Sequence, residues 1–294
     1  MAYYRGQPQK QLRLLCFGDS LTAGYSEMGS VFHPYESKMS QMLAMAFPDI
    51  SFQTDIRGIS GDTVSRGYLK RMEACFPSPV SPPSPISPPT SPRKSTTTNG
   101  VNGSSSSTHG TADKQNTTKP YDWVIVLGGT NDLGWGFTPE EIFAKLKAVW
   151  DIPLKRGAKV LALTVPECAV ATAKARERMD AKRDVLNGMI KGYKRDNYYV
   201  YDLHTAVPYY SMSEKDRAKH WDDHLHFTPD GYDLIGNKVG MALVSLLVKQ
   251  RVDDLPPAKR RRVFKDDEKV FEEETGDPNA LDGGYIVVRR TDLD

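Results

Sequence analysis

The sequence predicts an α/β domain built on a central parallel sheet of about five strands, and three observations lead there. Short apolar runs bounded by Gly, Pro or Asp recur along the 294 residues, and segments of helical period lie between them. Once a polar insert and a charged tail are set aside, roughly 210 residues remain, enough for one α/β domain with a large core. Strands that alternate with helices are joined by crossovers, so the sheet is expected to be parallel, covered on both faces and right-handed in its connections.

In chain order, the first strand is read at 12–17, where an apolar run stops at Gly18. A helix-period segment at 35–47 leads to a second strand at 50–56, and a third strand follows at 123–127. The helix at 139–155 precedes a strand at 159–165, and the helix at 173–195 precedes the last strand at 198–203. The final helix, 229–249, is opened by Thr228 as cap and Pro229 at its first position, where a missing N–H costs nothing.

Three stretches are expected to stand outside this domain. Residues 1–11 are polar and read as a flexible N-terminus, and the Pro-, Ser- and Thr-rich insert 77–119 carries too little apolar surface to fold. It reads as a disordered surface loop, which a domain tolerates at modest closure cost. Its Ser91-Pro92-Arg93-Lys94 step resembles a site for proline-directed kinases, so kinase contacts are one expected use of the insert. The charged tail, 250–294, holds the basic cluster Lys259-Arg260-Arg261-Arg262, which resembles a nuclear-import signal and would contact an import factor. Acidic groups at Asp266-Asp267-Glu268 and Glu272-Glu273-Glu274 follow, then the strand-like Tyr285-Ile286-Val287-Val288.

Composition narrows the function classes. A formal charge of +2 gives no global field toward nucleic acid or a membrane surface, and 39% hydrophobic residues are a globular value despite a mean hydropathy of -0.51. No leader segment and no membrane span are read in the sequence, so an unsecreted protein of the cytoplasm or nucleus is expected. Cys16, Cys75 and Cys168 lack metal-ligand spacing and read as reduced thiols.

The chemistry-bearing segments fall just after the strands, where the functional groups of such sheets gather. Gly18-Asp19-Ser20-Leu21 follows the first strand and delivers a serine to a turn, although the same residues serve equally as a helix cap. Gly58-Ile59-Ser60-Gly61-Asp62 follows the second, and its Gly61 leaves a backbone amide unobstructed. Gly129-Thr130-Asn131-Asp132 follows the third and brings an amide side chain. Asp223 and His226 stand three residues apart ahead of the last helix, so the acid can orient the imidazole toward Ser20. His220, His224 and His226 with Asp222 and Asp223 also permit a metal reading, but no known zinc spacing matches and no cofactor is expected. Candidate pocket walls are Leu133, Trp135, Phe137 and Pro166.

In this order the four segments resemble the blocks of the SGNH (GDSL-type) hydrolase superfamily, over about residues 12–249 without the insert. The resemblance implies a flavodoxin-like three-layer α/β/α sandwich and a serine esterase or lipase. It implies Ser20 as nucleophile, His226 as base and Asp223 as its orienting acid, with the amides of Ser20, Gly61 and Asn131 forming the oxyanion hole. The insert is a departure from the family pattern and leaves the pocket rim open. The implied reaction is hydrolysis of a small-molecule carboxylic ester, whether short or medium acyl, acetyl or lysophospholipid-like. The alternative reading is a catalytically silent interaction module that works through its basic tail.

Overall fold

The computed structural model describes residues 10–77 and 120–253, so the reading of 78–119 and of the tail beyond 253 lies outside the described residues. Five parallel strands form one sheet: β1 (Lys10–Gly18), β4 (Ile50–Gly58), β5 (Trp123–Val126), β6 (Lys159–Leu163) and β7 (Tyr198–Tyr201), in the spatial order β4-β1-β5-β6-β7. All five expected strands are present. A short antiparallel hairpin, β2 (Tyr25–Ser26) with β3 (Val31–Phe32), was not foreseen. Two residues per strand leave no alternation to read.

Side chains alternate across β1 because successive strand residues face opposite ways. Leu14 and Cys16 enter one core with Met39 and Leu43 of α2 (Glu36–Ala46) and Ile235, Val239 and Leu243 of α9 (Pro229–Asp253). Leu15 and Phe17 enter the other, with Met72 of α3 (Leu69–Cys75), Ile142, Leu146 and Trp150 of α5 (Pro139–Lys155), and Leu186 and Ile190 of α6 (Ala173–Gly192). The result is the three-layer α/β/α sandwich of the flavodoxin-like class.

Many element ends shift by one to three residues from expectation, and two extensions stand out. Strand β1 begins at Lys10, two residues before the expected start, because Lys10 and Gln11 pair with Ile50 and Ser51. Helix α9 runs on to Asp253, past the expected end at 249. Among the described residues α9 is also the one helix long and apolar enough to cross a membrane by composition alone. Tyr232, Ile235, Val239, Leu243 and Leu247 recur at three- and four-residue spacing and are buried, the stripe of a core helix packed on α2.

The helix after β1 and the helices after β5 lie on opposite faces of the sheet. That divergence opens a crevice at the carboxyl ends of β1 and β5, where doubly wound sheets bind ligands.

Candidate active site

Gly18 ends β1 where nothing larger fits. A Cβ there would lie 2.1 Å from Thr22 Oγ1 and 2.7 Å from the Leu127 carbonyl oxygen. The chain then turns into α1 (Ser20–Ala23), capped by Asp19, whose Oδ1 accepts from the Leu21 amide at 3.0 Å. Ser20 is the first helical residue, so no turn of helix precedes it to use its backbone N–H.

His226 arrives from the far end of the sequence. Trp221 and Phe227 form an antiparallel bridge, and the Asp222 amide donates to the His226 carbonyl at 3.0 Å, which folds the intervening residues into a tight loop. Within it Asp223 Oδ1 accepts from the amides of Leu225 and His226 at 2.6 and 2.5 Å, while Oδ2 faces His226 Nδ1 at 2.8 Å. An ionised carboxylate only accepts, so Nδ1 carries the proton and the neutral ring offers Nε2 as acceptor. Ser20 Oγ lies 3.0 Å from that Nε2. Burial raises the Asp223 carboxyl, but the His226 ring and the two amides outweigh it and hold the group below the usual carboxylate value.

Asn131 stands in α4 (Thr130–Gly134) and donates from Nδ2 to the Asp62 carbonyl at 2.9 Å, so it grips the turn that carries Gly61. Gly61 has φ +77°, a left-handed conformation that favours glycine, and a Cβ there would meet nothing within 4 Å. Ile59 ties this turn to the end of β1 by donating to the Gly18 carbonyl at 3.2 Å.

The sequence reading missed three supporting groups. Asp132 is fully buried and accepts from the amides of Val64 and Ser65, both at 2.9 Å, which joins the loop after β4 to α4. Arg71 donates to the Gly18 carbonyl at 2.9 Å and pairs with Asp62 at 2.7 Å, cross-bracing the same two loops. Tyr25, from the hairpin, packs against His226 with ring centroids 4.6 Å apart and the rings inclined at 47°, and Asp222 Oδ2 pins that hairpin by accepting from the Glu27 amide at 2.7 Å. Asp132 sits beside Asn131 and so had a positional signal; Arg71 and Tyr25 had none.

The metal reading of residues 220–226 meets a different use of the same groups. His220 Nδ1 is 2.8 Å from the Asp216 carbonyl, Asp222 holds the hairpin, and Asp223 and His226 hold each other. Of the candidate pocket walls Trp135 lines a cavity, at 69% exposure, while Leu133 and Pro166 are buried and Phe137 packs against the core.

Asp19 gives the site a pH-dependent element. Burial lifts its carboxyl from 3.8 to about 7, opposed by the Leu21 amide, reinforced by the nearby Asp132 carboxylate and opposed again by Arg71. A raised carboxyl binds its proton more tightly in the folded state. Its contribution to stability is therefore complete below the unfolded value and is lost as pH rises through the folded one. Asp19→Asn should flatten the fall in Tm between about pH 4 and pH 7; thermal melts of equal slope for variant and wild type would contradict this.

The sandwich is shared with a lipase/acylhydrolase from Enterococcus faecalis, at 20% identity and a TM-score of 0.50 over 80% of this chain and 96% of that one. It is shared as well with LAE5, an alpha/beta hydrolase enzyme from the metagenome of Lake Arreo in Spain, at 19% identity and a TM-score of 0.50 over 80% and 95%. No curated protein matches the chain in sequence. The profile of the GDSL-like Lipase/Acylhydrolase family, however, matches residues 16–234. That span runs from the strand leading to Ser20, through the turns of Gly61 and Asn131, to the first turns of α9 beyond His226, and the chain belongs to this family of carboxylic ester hydrolases.

Proposed function

We propose that Ser20, His226 and Asp223 are the catalytic triad of this hydrolase and that it acts on carboxylic esters of short to medium acyl length. The observation that carries the reading is the unbroken relay from Ser20 Oγ through both ring nitrogens to a carboxylate, with contacts of 3.0 and 2.8 Å. Ser20 Oγ attacks the ester carbonyl carbon while Nε2 takes the hydroxyl proton. The carbonyl electron pair moves onto oxygen, where the amides of Ser20 and Gly61 and an Asn131 N–H receive it. Asn131 has two N–H groups and gives one to Asp62, so the other is left for the oxyanion. Collapse breaks the bond to the alcohol, and the imidazolium returns its proton to that leaving oxygen. Water, deprotonated by the same nitrogen, then attacks the acyl-enzyme and releases the acid.

Labelling with a fluorophosphonate tests the nucleophile without assuming a substrate. The expected adduct maps to Ser20 and accompanies turnover of p-nitrophenyl acetate and butyrate. An unlabelled Ser20 in folded protein would end the proposal. Asn131→Ala should lower kcat by about 10²- to 10³-fold with a much smaller change in KM, because its free N–H acts most strongly on the developing charge. A loss confined to KM, measured by steady-state kinetics, would move Asn131 out of the oxyanion hole.

A further inference from the structure

A cavity of about 410 Å³ opens beside the triad, between α4, the segment after β6, α6 and the loop that carries His226. One end holds Asn131, the proposed oxyanion donor, and the rest is walled mainly by Trp135, Cys168, Ala169, Met179 and Leu225. Thr130 and His224 also reach the lining, and the rest of the wall offers methyl, thioether, thiol and indole surface, which favours methylene groups over sugar hydroxyls.

The cavity is held in shape. The Ala169 amide donates to the His224 carbonyl at 2.7 Å and so joins one wall to the catalytic loop. Arg183, 1% exposed, braces the same wall from behind. It pairs with Asp180 at 2.5 Å and donates to Cys168 Sγ at 3.1 Å. Trp135 stands at the rim, 69% exposed, with the Arg66 guanidinium 5.7 Å from its ring. An indole left this open in the same cavity as Asn131 is poised to be covered by substrate.

We infer that this cavity is the subsite for an unbranched apolar chain of medium length on the ester, so that octanoyl-sized chains are favoured over acetyl. The inference rests on the triad reading, because the cavity is placed by Asn131 and by His224 and Leu225, the two residues before His226. An acyl chain and an alkyl alcohol present the same methylene surface, so two substrate series are needed to separate them.

The experiment measures kcat/KM for p-nitrophenyl acetate, butyrate, octanoate and decanoate, and for a matched series of alkyl acetates. The expected result is a rise of about threefold to fourfold per methylene in one series, levelling off once the cavity is filled. The series that rises identifies the arm. Ala169→Trp or Met179→Trp, which fill the cavity, should collapse the octanoate-to-acetate ratio toward one. In parallel, decanoate should slow alkylation of Cys168 by iodoacetamide in wild-type protein, read by peptide mass spectrometry. Flat rates in both series, with turnover that still requires Ser20, would overturn the subsite and leave the triad standing. Absent turnover with decanoate protection of Cys168 would overturn the triad and keep the subsite, and absent protection would remove the subsite whatever the kinetics.

Discussion

Ser20→Ala is expected to lower kcat for p-nitrophenyl butyrate by about 10⁶-fold, the scale seen when the nucleophile of a serine triad is removed. Two considerations set this size. In the proposed mechanism the hydroxyl is the atom that bonds to the acyl carbon, and no second nucleophile takes its place: among the described residues the remaining hydrogen bonds of His226 and Asp223 run to each other and to their own loop. The oxyanion donors survive the change, so a residual rate of about 10³ to 10⁴ above uncatalysed hydrolysis should remain. Folding should lose only about 1 kcal/mol, since the substitution removes one oxygen and its hydrogen bond to His226 from a buried side chain. Steady-state kinetics together with a melting curve check both halves. Turnover near the wild-type level would refute the assignment of Ser20.

Asp223→Asn is expected to lower kcat by about 10³- to 10⁴-fold while sparing KM. The carboxylate accepts three hydrogen bonds, from two backbone amides and His226 Nδ1, and these outweigh the partial desolvation that would raise its pKa. An asparagine can still accept from the loop amides through its oxygen, but its NH2 then faces the ring and selects the tautomer that carries its proton on Nε2. That tautomer cannot take the Ser20 proton. The lower end of the range applies if water, which reaches the half-exposed Asp223 side chain, restores part of the correct tautomer. A drop smaller than tenfold in kcat would mean that the imidazole is oriented by other contacts, and packing by Tyr25 would be the first to test.

How much was legible in the sequence depended on distance along the chain. The apolar run before Gly18 and the cap at Thr228 are local signals, and both ends of the relay were found from them. The pairing of Asp223 with His226 needed only a three-residue spacing. Arg71 was invisible because its partners, the Gly18 carbonyl and the Asp62 carboxylate, are a backbone group and a side chain that only the folded chain brings to it. Tyr25 was invisible for a related reason: its hairpin acquires meaning when Asp222, almost two hundred residues later, accepts from Glu27. Leu133, Trp135, Phe137 and Pro166 could be read from the sequence either as pocket wall or as core, with core the better reading of each. Leu133 follows Asn131 by two residues, which turns it across the helix into the core.

Pro77 and Pro120, which bracket the polar insert, have a consequence beyond folding. Residue 77 is reached after α3 has turned back from the catalytic loops, where the Arg156 guanidinium holds the Pro77 carbonyl. Residue 120 leads directly into the amino end of β5, where Asp122 donates to the Arg13 carbonyl at 2.7 Å. The graft point thus lies toward the opposite end of the sheet from Ser20. Both ends of the stretch are anchored away from Ser20, so a change in its length is expected to leave the contact between Ser20 and His226 undisturbed.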